Sequence, residues 1–220
     1  MPVDLNAIDL TRFGPDTFRS ASALRQAGFA LLRESDDKTK IMVARHPDLD
    51  GILIKTFPHQ IASDVQHANY KRRVEGARRI QQLIDEQHFT HLITAKKRCY
   101  KFPSHQRVLC VEALPILTET KERYQTIDEA TLRELVFVLA AFPGLDSATH
   151  NLPFLPDGRI AFIDTEDWQQ RDWRRVTGLK YVLPLLSSER RHLAEKLWRR
   201  HFPQFQNKGE NIIMRTRRRS

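Results

Sequence analysis

The chain has 220 residues, 40% of them hydrophobic and 29% charged. This balance excludes disordered, collagen-like and disulfide-scaffold classes and leaves enough chain to bury a core. Thirty-six Lys and Arg against 27 Asp and Glu give a net charge of +9 and a pI near 9.8, which points to an anionic partner: nucleic acid, a phosphate-bearing ligand or a membrane surface.

Residues 1–28 carry Asp4, Asp9, Arg12 and Asp16 and no apolar stretch, so they do not read as a secretory signal. The best apolar run, 135–142, falls far short of the roughly 20 residues of a membrane span. Cys99 and Cys110 are the only cysteines, too few for a disulfide framework, and they suit a reducing compartment. The expectation is a cytoplasmic protein without a transmembrane segment; one exported by a signal-less route would carry the same features. The two thiols flank a predicted hairpin and read as buried strand residues.

In chain order, a short amphipathic stretch at 17–26 precedes strands at 29–33, 41–44 and 52–57, with turn signals at 34–40 and 46–51. These predict a three-stranded antiparallel meander. Helical spacing follows at 62–87, where Val65, Tyr70, Val74, Ala77, Ile80, Leu83 and Ile84 form an apolar face and Lys71, Arg72, Arg73, Arg78 and Arg79 occupy much of the rest. Two further strands are predicted at 97–102 and 107–112. A second helix is predicted at 128–141, with Asp128 as N-cap. Residues 152–155 and 159–163 predict a short hairpin across Pro156-Asp157-Gly158, and 188–200 a basic helix before the Arg-rich tail. The fold expected is α+β and bilobal. It comprises a 1–28 extension, an antiparallel-sheet N-lobe with one long helix at 29–114, a reduced helical C-lobe at 115–207 and a basic tail at 208–220.

The segment that carries chemistry runs from Leu145 to Glu166. Asp146 is followed by Asn151, then by the hairpin, then by Asp164. An Asp on a loop can accept the proton of an attacking hydroxyl. An Asn carbonyl and a second carboxylate, brought together by a hairpin, offer the oxygen donors that Mg²⁺ requires, and Mg²⁺ neutralises charge in phosphoryl transfer. The histidines show no zinc-ligand spacing.

Asp146-x-x-x-x-Asn151, apolar strand, Asp157-Gly158 turn, apolar strand and Asp164 resemble the catalytic loop and metal-binding Asp of the protein-kinase-like superfamily. The ending Ile163-Asp164-Thr165-Glu166 is nearest in style to aminoglycoside- and choline-type small-molecule kinases. This resemblance spans about residues 29–166. It implies ATP and Mg²⁺ as cofactors, with Asp146 as catalytic base and Asn151, Asp164 and Glu166 around the metal. Lys55, on the third strand, would clamp the nucleotide phosphates and Glu75 would hold it. The hinge Glu112, Ala113 and Leu114 would meet adenine. No glycine stands in 34–40, where Lys38 and Lys40 would face the phosphates instead; Gly144-Leu145 replaces the family's His-Arg; and no Ala-Pro-Glu motif follows Asp164.

These features imply a compact atypical kinase passing the γ-phosphate to a hydroxyl of a protein or small molecule. The alternative is a pseudokinase, a basic binding module for a protein, nucleic acid or membrane partner. Each residue also has a structural reading. Asp146 and Asn151 suit turns, Lys55 a snorkelling strand position, Glu75 a surface ion pair, and His150 a loop brace. Trp168 and Trp173, among Arg171, Arg174 and Arg175, read as packing anchors or as stacking platforms for bases.

Overall fold

A computed structural model describes residues 3–34, 41–57, 62–169 and 178–201. Lys38 and Lys40, the cluster Arg171, Trp173, Arg174 and Arg175, and the tail 208–220 lie outside the described residues. The chain separates into two compact units, Met1–Glu75 with Ala95–Leu114, and Gly76–Thr94 with Pro115–Ser220.

The first unit is built on an antiparallel sheet. Its strands are β1 (Ala30–Arg33), β2 (Met42–Arg45) and β3 (Ile52–Thr56), joined, after β4 (Leu92–Thr94) of the second unit, by β5 (Lys97–Lys101) and β6 (Arg107–Glu112). The order is β1-β2-β3-β6-β5. The predicted meander is therefore present, and β6 adds to its third strand in the register Ile54↔Cys110 and Lys55↔Leu109.

β6 is apolar at consecutive positions because it is covered on both faces. Val108 and Cys110 enter one cluster with Met42, Ala44, Ile52 and Ile54, while Leu109 and Val111 enter another with Ile41, Phe57 and Tyr70. This is the period-2 alternation of a strand with two buried sides. The N-terminal segment covers the first face. Leu5, Leu10 and Phe18 pack there, and Ser20 caps the short helix α1 (Ala21–Gln26) by accepting from the Ala23 N–H at 3.1 Å. The opposite face meets Tyr70 and Val74 of the long helix α2 (Ser63–Glu86).

Most of the apolar face expected on this helix is buried. Val65 is the exception, 56% exposed, because it packs into none of the apolar clusters. Cys99 pairs in register with Leu109, and Cys110 with Arg98. The two thiols thus belong to opposite faces of the sheet, and both are free.

The second unit has a helical core. Ile80 and Ile84 from the end of α2 join Leu132, Leu135 and Leu139 of α4 and Leu197 and Trp198 of α5. Here α3 is Thr120–Gln125, α4 is Glu129–Ala141 and α5 is Ser188–His201. Asp128 caps α4 as expected, accepting from the Thr131 N–H at 2.8 Å and its hydroxyl at 2.6 Å. A parallel pair, β4 with β7 (Ile160–Phe162), matches Leu92 to Ile160 and Thr94 to Phe162. β4 and α3 were not predicted, being short and without periodicity of their own. Among the described residues, no helix is long and apolar enough to cross a membrane.

Candidate active-site loop

The loop begins where α4 ends. Phe142 closes the helix with its N–H on the Val138 carbonyl, and Leu145, 1% exposed, pins the chain to the core one residue before Asp146. The Oδ1 of Asp146 accepts from the Ala148 N–H at 3.0 Å. This is the Asx turn that Asp favours in loops. Its Oδ2 accepts from the Asn151 Nδ2 at 2.9 Å. With its NH₂ turned to Asp146, the amide keeps its Oδ1 for another partner. Asn151 ends a 3-10 turn, Thr149–Asn151, and is 8% exposed.

The predicted hairpin follows. Leu155 N–H meets the Arg159 carbonyl at 2.8 Å across the Pro156-Asp157-Gly158 turn, and Phe154 bridges to Ile160. Gly158 supplies the positive φ of that turn, +88°. The Ala161 N–H donates to the Pro153 carbonyl at 2.9 Å and the Ile163 N–H to the Asn151 carbonyl at 3.0 Å. The register thus sets Asn151 opposite Ile163, with Asp164 next along the chain. Asp146, Asn151 and the approach to Asp164 are brought together by one hydrogen bond and one hairpin.

Asp164 and Glu166 are half-buried and flank Thr165, which is fully buried. Thr165 is held against α2. A Cβ built on Gly76 would lie 2.1 Å from the Thr165 carbonyl oxygen and 2.7 Å from Trp168 Cδ1. Only a glycine allows so close a contact, and it has no sequence signature, since a lone Gly in a helical pattern has many explanations. Two further contacts escaped sequence reasoning: Tyr124 Oη donates to the Leu152 carbonyl at 2.8 Å, and Leu117 N–H donates to the Phe154 carbonyl at 2.9 Å. His150 is exposed.

In the first unit, the alternation along β3 sends Ile52 and Ile54 to one cluster and Leu53 toward the α2 side. Lys55 holds the next position on that side and is 8% exposed. A buried lysine ammonium requires compensation, which separates it from an ordinary solvated strand residue. Glu75, half-buried, follows Val74 of the same layer. At the end of β6, the Glu112 N–H donates to the Lys96 carbonyl at 2.9 Å and the Ala113 N–H to the Gly51 carbonyl at 2.8 Å. Those two donors are consumed within the unit, and the Glu112 carboxylate accepts from the Lys96 N–H at 3.2 Å.

Among the described residues, no group of three or more His, Cys, Asp or Glu is arranged to hold a metal ion. The oxygen set offered by Asn151, Asp164 and Glu166 nevertheless suits Mg²⁺, which is commonly held by one or two carboxylates together with water and substrate phosphates.

No family model matches the chain, and no curated protein matches it. In structure it is similar to the macrolide 2'-phosphotransferase of Brachybacterium faecium in its apoenzyme form, with 13% identity and a TM-score of 0.41, over 82% of this chain and 81% of that one. It is also similar to a MAP kinase from Leishmania major, with 16% identity and a TM-score of 0.33. That likeness covers 71% of this chain and half (50%) of the kinase.

Proposed function

We propose that the protein is a compact phosphotransferase of the kinase-like type, using ATP and Mg²⁺ to phosphorylate a hydroxyl acceptor. The observation that carries this reading is Asn151: its side-chain amide donates to Asp146 at 2.9 Å while its backbone carbonyl sets the hairpin register that leads to Asp164. A carboxylate hydrogen-bonded to an amide whose residue sets the register of the hairpin leading to a second carboxylate supports oxygen-ligand chemistry over a purely local turn role.

In this reading Asp146 orients the acceptor hydroxyl and takes its proton as the bond to phosphorus forms. Two of its lone pairs are already engaged, which fixes the orientation of the carboxylate. Asn151 and Asp164 hold the metal and Glu166 orients that pair. Mg²⁺ supplies charge neutralisation on the phosphate oxygens when bound. Lys55 neutralises phosphate charge from β3, with Glu75 as its counter-charge, and Leu114 supplies backbone contacts to the base. A small hydroxylated molecule and a protein side chain both satisfy the acceptor chemistry.

A second reading, a kinase-shaped binding module, is favoured by Gly144-Leu145 in place of His-Arg and by the exposed cations Lys196, Arg199 and Arg200 on α5. Thermal stability with and without ATP and Mg²⁺ separates the two, because a ligand that binds only the native state raises its stability. The phosphotransferase gives a shift that depends on both components and is lost in Asp164→Ala, together with phosphate transfer from labelled ATP. Equal shifts and equal labelling in both proteins would count against it.

A further inference from the structure

Along residues 151–154 the backbone carbonyls alternate between two neighbours. Asn151 and Pro153 accept from Ile163 and Ala161, at 3.0 and 2.9 Å, on the β7 side. On the other side Phe154 accepts from the Leu117 N–H at 2.9 Å, and Leu152 accepts from the Tyr124 hydroxyl at 2.8 Å. The segment that follows Asn151 is thus held on both sides, one of them by a side-chain hydroxyl and a single backbone N–H rather than by a strand.

Leu152 is 1% exposed and Tyr124 is fully buried, so water does not replace this bond, and an orphaned carbonyl at such a site is costly. The Tyr124 ring packs edge-on against Phe154, centroids 5.1 Å apart, which fixes where the hydroxyl points. Burial pushes the tyrosine's pKa far up, so the group remains a donor throughout the physiological range.

We infer that Tyr124 is a positioning residue for Asn151, acting through the Leu152 carbonyl to fix the direction in which the Asn151 side chain leaves the end of its 3-10 turn. The inference rests on the proposed phosphotransferase reading, and it assigns a role to α3, an element with no other evident task at the site. Losing the hydroxyl frees the backbone at Leu152, the residue next to Asn151. The first quantity to change is then the affinity for the cation that Asn151 helps to hold, while the affinity for nucleotide alone stays the same.

The test compares wild-type protein, Tyr124→Phe, which keeps the ring, and Asp128→Ala, a destabilised control that removes only the cap of α4. Each is titrated with Mg²⁺ at saturating ATP, and the free Mg²⁺ giving half of the thermal shift is read alongside metal-free ATP binding. Tyr124→Phe is expected to raise the Mg²⁺ midpoint about five-fold, on the order of one lost hydrogen bond, with metal-free ATP binding unchanged. Asp128→Ala is expected to leave that midpoint at the wild-type value. A Tyr124→Phe midpoint equal to the control's, whatever its melting temperature, overturns the inference and leaves Tyr124 as core. A wild-type protein with no Mg²⁺-dependent shift overturns the phosphotransferase reading instead.

Discussion

Gly76 of α2 and Thr165, the residue after Asp164, touch backbone to backbone: a methyl group at Gly76 would sit 2.1 Å from the Thr165 carbonyl oxygen. Glu75 precedes that glycine, and Thr165 is flanked by Asp164 and Glu166. A single close contact therefore fixes the segment holding two of the proposed metal-site residues.

The sign of one substitution tests this contact. In an exposed helix, Gly→Ala stabilises by up to about 1 kcal/mol. Gly76→Ala is expected to destabilise instead, by roughly 1–3 kcal/mol, because the oxygen it meets belongs to backbone that cannot swing away. Urea denaturation of the two proteins measures the difference.

Asn151→Asp puts a carboxylate where the amide now donates to Asp146 at 2.9 Å. Two carboxylates so close cannot both ionise at neutral pH, so the pair either holds a shared proton or separates. Phosphate transfer is expected to fall at least about 100-fold, as when a fixed polar group is lost from an active site. A rate measurement at saturating ATP and Mg²⁺ checks this. Retained activity would remove Asn151 from the machinery.

At the start of α4, burial tends to raise the Asp128 pKa, but the hydrogen bonds from Thr131 outweigh it and hold the carboxyl below its ordinary 3.8. A depressed folded-state pKa adds stability that is present above that ordinary value and lost as pH falls through the folded one. Asp128→Ala is expected to cost about 1 kcal/mol at pH 7. Asp128→Asn, still a good cap, is expected to stay within a few tenths of a kcal/mol of wild type there while flattening the acid limb of the stability curve. Urea midpoints between pH 2 and 7 provide the comparison.

The thiols provide a check on the sheet register. Burial pushes the Cys110 thiol up to about 12 and raises that of Cys99 as well, so neither is a ready thiolate at pH 8. Maleimide labelling followed by intact-mass measurement is expected to show slow modification of the native protein and both thiols labelled in denaturant, with no need for reductant. A requirement for reductant would contradict two thiols on opposite sheet faces.

The sequence carried the strands and helices whose apolar spacing is long enough to read. These include the meander of β1, β2 and β3, the stripe Tyr70, Ala77, Ile80 and Ile84, the Asp128 cap, and the Asp157-Gly158 turn that orders the hairpin after Asn151. It also carried the chemical identity of the candidate residues, since Asp, Asn and Asp around one hairpin suggest oxygen-ligand chemistry before any coordinates.

What it could not carry depends on contacts between residues far apart in the chain. β4 has three residues and is a strand only because Ile160–Phe162 lies beside it. Nothing in the residues around Gly76 distinguishes it from any other helical glycine; its role comes from Thr165, which lies against it. The bond from the Tyr124 hydroxyl to the Leu152 carbonyl has no local signature, and Val65 belongs to the apolar face by spacing while joining none of the apolar clusters. Local periodicity and turn chemistry are written in neighbouring residues and survive in the sequence alone. Register, close backbone approach and the donor that satisfies a given carbonyl arise only when the folded chain brings distant residues together.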